Sequence, residues 1–197
     1  MRKIIVSMNV SVDGFMAALG GELDWHFDNW TNEMAESLCE QLSKADTILM
    51  GSHTYSAMAA YWPYCDMDYN YPREDMAFAG MMNSYSKIVF SKKLKKLYWN
   101  NASIIKNNTG AEVLKLKQQP GKDMIIFGSG TLVTNLMALG LIDEYILWVH
   151  PVILSSGRAL FSTPHNINMQ LIRIKKFRSG VIALYYSIVN NGLNTRQ

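Results

Sequence analysis

Cysteine is scarce in this sequence: Cys39 and Cys65, 26 positions apart, are the only two among 197 residues. Two thiols at that distance form neither a disulfide framework nor a zinc-ligand pattern, so a stapled secreted fold is excluded and a reducing compartment is expected. No metal site is expected. Charge is also thin, at 18% of residues with a net +3. The one dense basic run, Lys92-Lys93-Leu94-Lys95-Lys96, reads as a solvated face or turn rather than a nucleic-acid surface. Long apolar runs are missing too: none approaches the roughly 20 residues that a membrane span requires. The start, Met1-Arg2-Lys3-Ile4-Ile5-Val6, runs straight into polar Asn9, Ser11 and Asp13, which fits a first strand and not a signal peptide. A cytoplasmic chain with no nucleic-acid or membrane partner is therefore expected.

What is present is apolar content, 49% of residues, arranged as short β-rich runs alternating with helical periods, the pattern of an α/β sheet. Strands are predicted over Lys3 to Val10, Thr47 to Met50, Lys87 to Phe90, Ser103 to Lys106, Asp123 to Phe127 and Glu144 to Val149. Helices are predicted over Trp30 to Ser43, from Ser52 onward, near Asp75 to Asn83, and over Ala111 to Lys117 and Thr131 to Leu139. Cys39 falls on the apolar stripe of the first helix, where a buried thiol is expected. Residues 61–74 have no period and are rich in aromatics, as functional or mobile loops often are. Past Pro151, Asn168 to Phe177 and Val181 to Val189 flank Arg178-Ser179-Gly180 and read as an antiparallel hairpin. The expectation is one domain over 1–189 with a polar tail over 190–197, and a mixed, mostly parallel sheet with helices on both faces.

Open α/β sheets bind ligands at the carboxyl ends of their strands, where backbone N–H groups of the following helices converge. Three strand ends here have suitable residues. Met124-Ile125-Ile126-Phe127 leads into Gly128-Ser129-Gly130-Thr131, where glycine admits a phosphate to the backbone and the two hydroxyls can cap the helix. Thr47-Ile48-Leu49-Met50-Gly51 leads into Ser52-His53-Thr54. Lys87-Ile88-Val89-Phe90 leads into Ser91-Lys92, a hydroxyl and a point charge. Glycine in such a place also serves as an ordinary tight turn, and Val133 stands where the dinucleotide fingerprint has its third glycine. Three such ends on neighbouring strands favour a long phosphate-bearing ligand.

The run Ser11-Val12-Asp13-Gly14-Phe15, the turn Met50-Gly51-Ser52-His53-Thr54-Tyr55 and the turn Phe127-Gly128-Ser129-Gly130-Thr131-Leu132 resemble the dihydrofolate reductase superfamily. So does the block from Gly140-Leu141-Ile142-Asp143 through His150-Pro151 to Gly157-Arg158-Ala159-Leu160-Phe161. That block most resembles the reductase domain that follows the deaminase in bifunctional riboflavin-biosynthesis proteins, and the whole chain is similar to its stand-alone relatives. The resemblance implies a dihydrofolate-reductase-like three-layer α/β fold, NADPH as hydride donor and a homodimer. It assigns the phosphates and adenosine to Gly51, Ser52, His53, Thr54, Gly128, Ser129, Gly130, Thr131 and Leu132, with Ser91 and Lys92 at the adenosine end. The nicotinamide falls beside Val10, Asp13 and Gly14.

Three departures narrow the carry-over. Ser52 stands where dihydrofolate reductases usually have an arginine for the 2′-phosphate region, which opens the site to NADH. Trp30 or Thr31 stands where folate reductases place a carboxylate. Phe127 stands where the riboflavin enzyme has a substrate-facing glutamate. For the substrate side, the residues themselves offer Asp24 beside Trp25 as an acid, with Asp13, Trp25 and Trp62 as contacts, and the resemblance adds Phe127 at the glutamate position. Asp13 fits a turn-stabilising role equally, His150 ends a strand, and Arg158 fits an anionic substrate or an interface ion pair. The expected activity is NAD(P)H-dependent reduction of a pterin-like or ribitylaminopyrimidine-like heterocycle. The alternative is a dinucleotide-binding protein without catalysis.

Overall fold

In the computed structural model, which describes residues 1–67, 73–162 and 166–189, the β-rich runs build an eight-stranded sheet. Its members are β1 (Ile4–Ser11), β3 (Ala45–Gly51), β4 (Ser86–Phe90), β5 (Ala102–Ile105), β6 (Asp123–Ile126), β7 (Glu144–His150), β9 (Met169–Lys176) and β10 (Ile182–Ile188). Two short strands, β2 (Phe15–Ala17) and β8 (Arg158–Ala159), pair separately as an antiparallel ribbon. The sheet order is β5-β4-β3-β6-β1-β7-β10-β9. It is parallel from β5 to β7, and the C-terminal hairpin joins antiparallel to β7. The three expected ligand-bearing strand ends belong to β4, β3 and β6, which are indeed consecutive neighbours.

Alternation along β1 sets the layers, because successive side chains leave a strand on opposite faces. Ile4, Val6, Met8 and Val10 pack with Val113 of α4 (Thr109–Gln118) and with Leu132, Val133 and Leu136 of α5 (Gly130–Ala138). Ile5 faces the other way, toward Met34 of α1 (Asn32–Ser43) and toward Trp148, Phe177 and Val181. On that second face α2 (Ser52–Ala59) and α3 (Arg73–Ser84) bury Tyr55, Phe78 and Met82 over Ile48, Met50 and Val89.

The first helix begins two residues later than its period suggests. Thr31 is extended, and its hydroxyl accepts from Met34 N, a cap that contributes about 1 kcal/mol. Trp30 stays outside the helix and packs on Trp148. Cys39, expected buried, is half-buried, because α1 turns that flank of its stripe toward solvent; Cys65 is buried. Within the aromatic-rich stretch, Trp62–Met67 forms a 3-10 helix. Positions 68–72, like the tail 190–197, lie outside the described residues. Among the described residues no helix is long and apolar enough to cross a membrane.

Candidate functional site

The glycine turns after β3 and β6 are bonded to each other. Ser129 Oγ accepts from Gly51 N at 2.6 Å and donates to Thr54 Oγ1 at 2.7 Å. The hydroxyl expected to cap α5 is thus spent sideways, and Ser129 makes no capping bond although it occupies the N-cap position in a left-handed conformation, φ +71°. That backbone costs a non-glycine residue of the order of 1 kcal/mol. It is held by the two side-chain bonds, and the preceding Gly128, at φ +97°, completes a turn that L side chains rarely adopt.

Two helix starts on adjacent strands therefore lack side-chain caps: α5 after Ser129, and α2 after Gly51, which has no side chain to cap with. Each presents unsatisfied N–H groups and the positive end of a helix dipole. Leu132 is buried in the core, so only its backbone N–H remains for a ligand. His53 is exposed on the first turn of α2 and Ser52 is half-buried. In register, Gly51 lies opposite Phe90, so Ser91 and Lys92 continue the same row. Ser91 is occupied locally, its Oγ accepting from Lys93 N and Leu94 N, while Lys92 is exposed.

Sequence periodicity did not reveal the β2–β8 ribbon, whose strands are too short for any pattern. It brings Met16 and Arg158 over the start of α5. A Cβ at Gly130 would lie 2.7 Å from Met16 Sδ and 3.1 Å from Arg158 Nε, so any larger residue there would have to displace the ends of these two flexible side chains. Arg158 Nη2 donates to Thr131 Oγ1 at 2.6 Å. An exposed guanidinium at the positive end of a helix is placed against the dipole, and an anion there would reconcile the two. Gly157 permits the ribbon's close approach, since a Cβ there would strike Ala17 O.

Asp13 is drawn into the same scaffold. Its carboxylate accepts from Ser11 Oγ, Leu154 N and Ser155 N at 2.6, 3.2 and 2.8 Å, and the Ser11 bond is the leading cause that lowers its pKa. The turn-stabilising role therefore accounts for both of its oxygens. Val10 points its side chain into the core and Gly14 is half-buried at φ +85°, so this stretch meets a ligand through backbone.

The substrate-side candidates divide into two sets. Trp62 packs on Phe78 at 5.0 Å, and Phe78 on Phe127 at 6.0 Å, an apolar wall beside the glycine turn. Trp25 belongs to a 3-10 helix, Asp24–Asn29, and lies edge-on to His26 and His150 at 5.3 and 5.5 Å. Asp24 is exposed at the start of that turn. His150 is fully buried at the end of β7, with Nε2 3.0 Å from Asn9 Oδ1. Burial, with His26 beside it, pushes the His150 imidazole down to about 4. Burial also lowers His26. His26 was not singled out in the sequence, where a lone histidine between Trp25 and Phe27 has no motif.

A parallel sheet in this order, closed by an antiparallel hairpin and bearing glycine turns at β3 and β6, defines the dihydrofolate-reductase-like class. The RibD C-terminal domain family matches residues 2–183, and the chain belongs to that family. The uncharacterized protein YyaP of Bacillus subtilis (strain 168) is 33% identical over 186 residues, 94% of each chain. A Shewanella sp. PV-4 protein named for riboflavin biosynthesis has a TM-score of 0.72 at 20% identity, covering 95% of this chain and 99% of its own. The diaminohydroxyphosphoribosylaminopyrimidine deaminase/5-amino-6-(5-phosphoribosylamino)uracil reductase of Thermotoga maritima has a TM-score of 0.63 at 13% identity, covering 95% of this chain and 57% of its own.

Proposed function

We propose that this protein is an NADPH-dependent reductase of a small pterin-like or pyrimidine-like heterocycle, acting in the cytoplasm. One observation supports it above the rest: two helices on adjacent strands start without side-chain caps, one after Gly51 and one after Ser129, whose hydroxyl ties the two turns together. Those donor sets suit a pyrophosphate, whose charge also matches Arg158. Gly51, Ser52, His53, Thr54, Gly128, Ser129, Gly130, Thr131 and the Leu132 N–H would hold the phosphates, with Ser91 and Lys92 toward the adenosine. The backbone at Val10 and Gly14 would border the nicotinamide. When bound, the cofactor supplies a hydride. The chain orients the reactants, and the Trp62–Phe78–Phe127 wall excludes water from that side. Asp13 holds the 154–155 loop behind Arg158, and Asp24 is the candidate acid. Ser52 in place of arginine leaves NADH as a competitor.

Titration with NADPH and NADH, followed by tryptophan quenching, tests this. Saturable binding is expected. Arg158→Leu should weaken NADPH at least about tenfold, the scale of a charge-assisted hydrogen bond. No saturable binding of either dinucleotide would sink the proposal, and binding without turnover of any pterin or aminopyrimidine would favour a non-catalytic binder.

The family resemblance to homodimers has a physical counterpart in β9. This edge strand exposes Leu171, Ile172 and Ile174, a pattern that invites pairing with another surface. A dimer through β9 is expected in sedimentation, and Ile172→Lys should shift it to monomer. A wild-type monomer at all accessible concentrations would refute the dimer.

A further inference from the structure

We propose that the groove between α1 and the C-terminal hairpin binds a small monocarboxylate with a short apolar body. The proposal does not rest on the reductase reading, because the groove lies at the other end of the sheet. Its floor is the start of β7, Glu144 to Ile146, where Ile146 pairs with Ser7 on one side and Tyr185 on the other. The glycine turns follow the carboxyl ends of β3 and β6 instead.

A β-bulge shapes the groove. The register of β9 on β10 shifts between Tyr185 and Tyr186, so Arg173 pairs with Tyr185, Leu171 with Tyr186, and Ile172 with neither. Consecutive strand residues ordinarily point to opposite faces. Here Ile172 and Arg173 both line the groove, the kind of re-aiming that a bulge produces. The space is about 200 Å³. That is several times the roughly 30 Å³ of a water molecule and short of the roughly 300 Å³ where drug-sized sites begin.

A directed chain of hydrogen bonds ends in this space. Trp148 Nε1 can only donate, and it donates to Ser7 Oγ at 3.0 Å, while Ser7 donates to Gln41 Oε1 at 3.1 Å. Gln41 Nε2 then donates to Tyr185 Oη at 3.1 Å, and Arg173 Nη2 donates to the same oxygen at 3.1 Å. Trp148, Ser7 and Gln41 are buried, so the chain runs from the interior outward. Tyr185 Oη accepts twice, and its proton has no acceptor among the described residues. Successive bonds in such a chain polarise one another, which makes the Tyr185 hydroxyl a strengthened donor at the groove.

Arg173 completes the donor set. Its guanidinium carbon lies 4.4 Å from the centre of the Tyr185 ring, and among the described residues it forms no ion pair. One N–H is spent on Tyr185, and the rest of the planar fork suits a carboxylate. Glu40 feels the charge of Arg173 but is bonded to Lys44, and Glu144 is bonded to Lys3. A dianion such as phosphate would meet both carboxylates with one unpaired cation to offset it, so a single negative charge fits better. Ile146 and Ile172 line the remainder, which suits an apolar body.

Titration of the intact protein with benzoate and with benzamide, followed by two-dimensional NMR, tests the proposal. The two probes share shape and differ in charge. Benzoate should bind saturably at millimolar concentration and at least about tenfold more tightly than benzamide, the scale of a charge-assisted hydrogen bond. Arg173→Gln should erase that preference. Tyr185→Phe, which keeps the ring and removes the hydroxyl, should weaken benzoate about fivefold or more, with dinucleotide binding unchanged. If Tyr185→Phe fails to fold, Arg173→Gln, at an exposed position, decides. No saturation by benzoate at millimolar concentration, equal binding of the two probes, or an unaltered Arg173→Gln would overturn the proposal.

Discussion

Thr131→Glu should raise the melting temperature by roughly 1–3 °C while lowering NADPH affinity about a hundredfold or more. The two effects have one origin. Thr131 is exposed in the first turn of α5, where a carboxylate complements the helix dipole by roughly 0.3–1 kcal/mol. It also lies beside Arg158, which now donates to the threonine hydroxyl and would pair with the new charge. The added carboxylate would stand where phosphate is proposed to bind. Two unit charges about 5 Å apart repel by about 3 kcal/mol at an effective dielectric of 20, more than a factor of a hundred in Kd. Thermal melts and fluorescence titration read the two effects separately. Thr131→Gln, without the charge, should lose much less affinity. A stabilised Thr131→Glu that binds NADPH as the wild type does would remove α5 from the cofactor site. This substitution discriminates better than a larger side chain at Gly130, which would displace the Met16 and Arg158 side chains with or without a ligand.

Lys87→Ala should destabilise the protein by roughly 3–5 kcal/mol, a fall of about 10 °C in Tm. Lys87 is 0% exposed. Its ammonium donates to the carbonyls of Met82, Asn83 and Tyr85 at 2.7, 3.0 and 2.7 Å and lies 4.5 Å from the centre of the Trp99 ring. Two of those carbonyls end α3 and would otherwise be unpaired. Truncation leaves three buried acceptors and a void together. Burial also pushes the lysine down to about 8, below the ordinary value near 10.4. Between those values the unfolded chain binds the proton more strongly, so wild-type stability rises with pH across that window. The gap between wild type and Lys87→Ala should therefore widen from about pH 7.5 to about pH 9.5, read by urea melts. A constant gap would mean that the lysine does not titrate there.

The sheet was largely legible because its central strands are short, wholly apolar runs such as Thr47 to Met50, each followed by a helical period. That the three glycine- and hydroxyl-marked strand ends lie on neighbouring strands was also legible. What escaped was tertiary. The β2–β8 ribbon has strands of three and two residues, below any periodicity, so the cover of Gly130 by Met16 and Arg158 had no local signal. Ser129 has the residue type of a cap, and only the approach of Gly51 diverts its hydroxyl. His26 and His150 are 124 positions apart, and their meeting depends on β1 and β7 pairing in register. Asp13 shows the opposite case: its turn role was readable from the following glycine, and the loop it anchors was not.

The bond from Gly51 to Ser129 spans 78 positions of chain, and that from Ser129 to Thr54 spans 75. The proposed phosphate cradle therefore has no existence in any fragment or early intermediate, because neither half assumes its shape until β3 and β6 have aligned. A ligand held there binds the finished molecule and nothing before it. Such a ligand would draw the folding equilibrium toward the native state: at a hundred times its Kd it would add about 2.7 kcal/mol, so the cofactor level around the protein would set the fraction of chains that are unfolded.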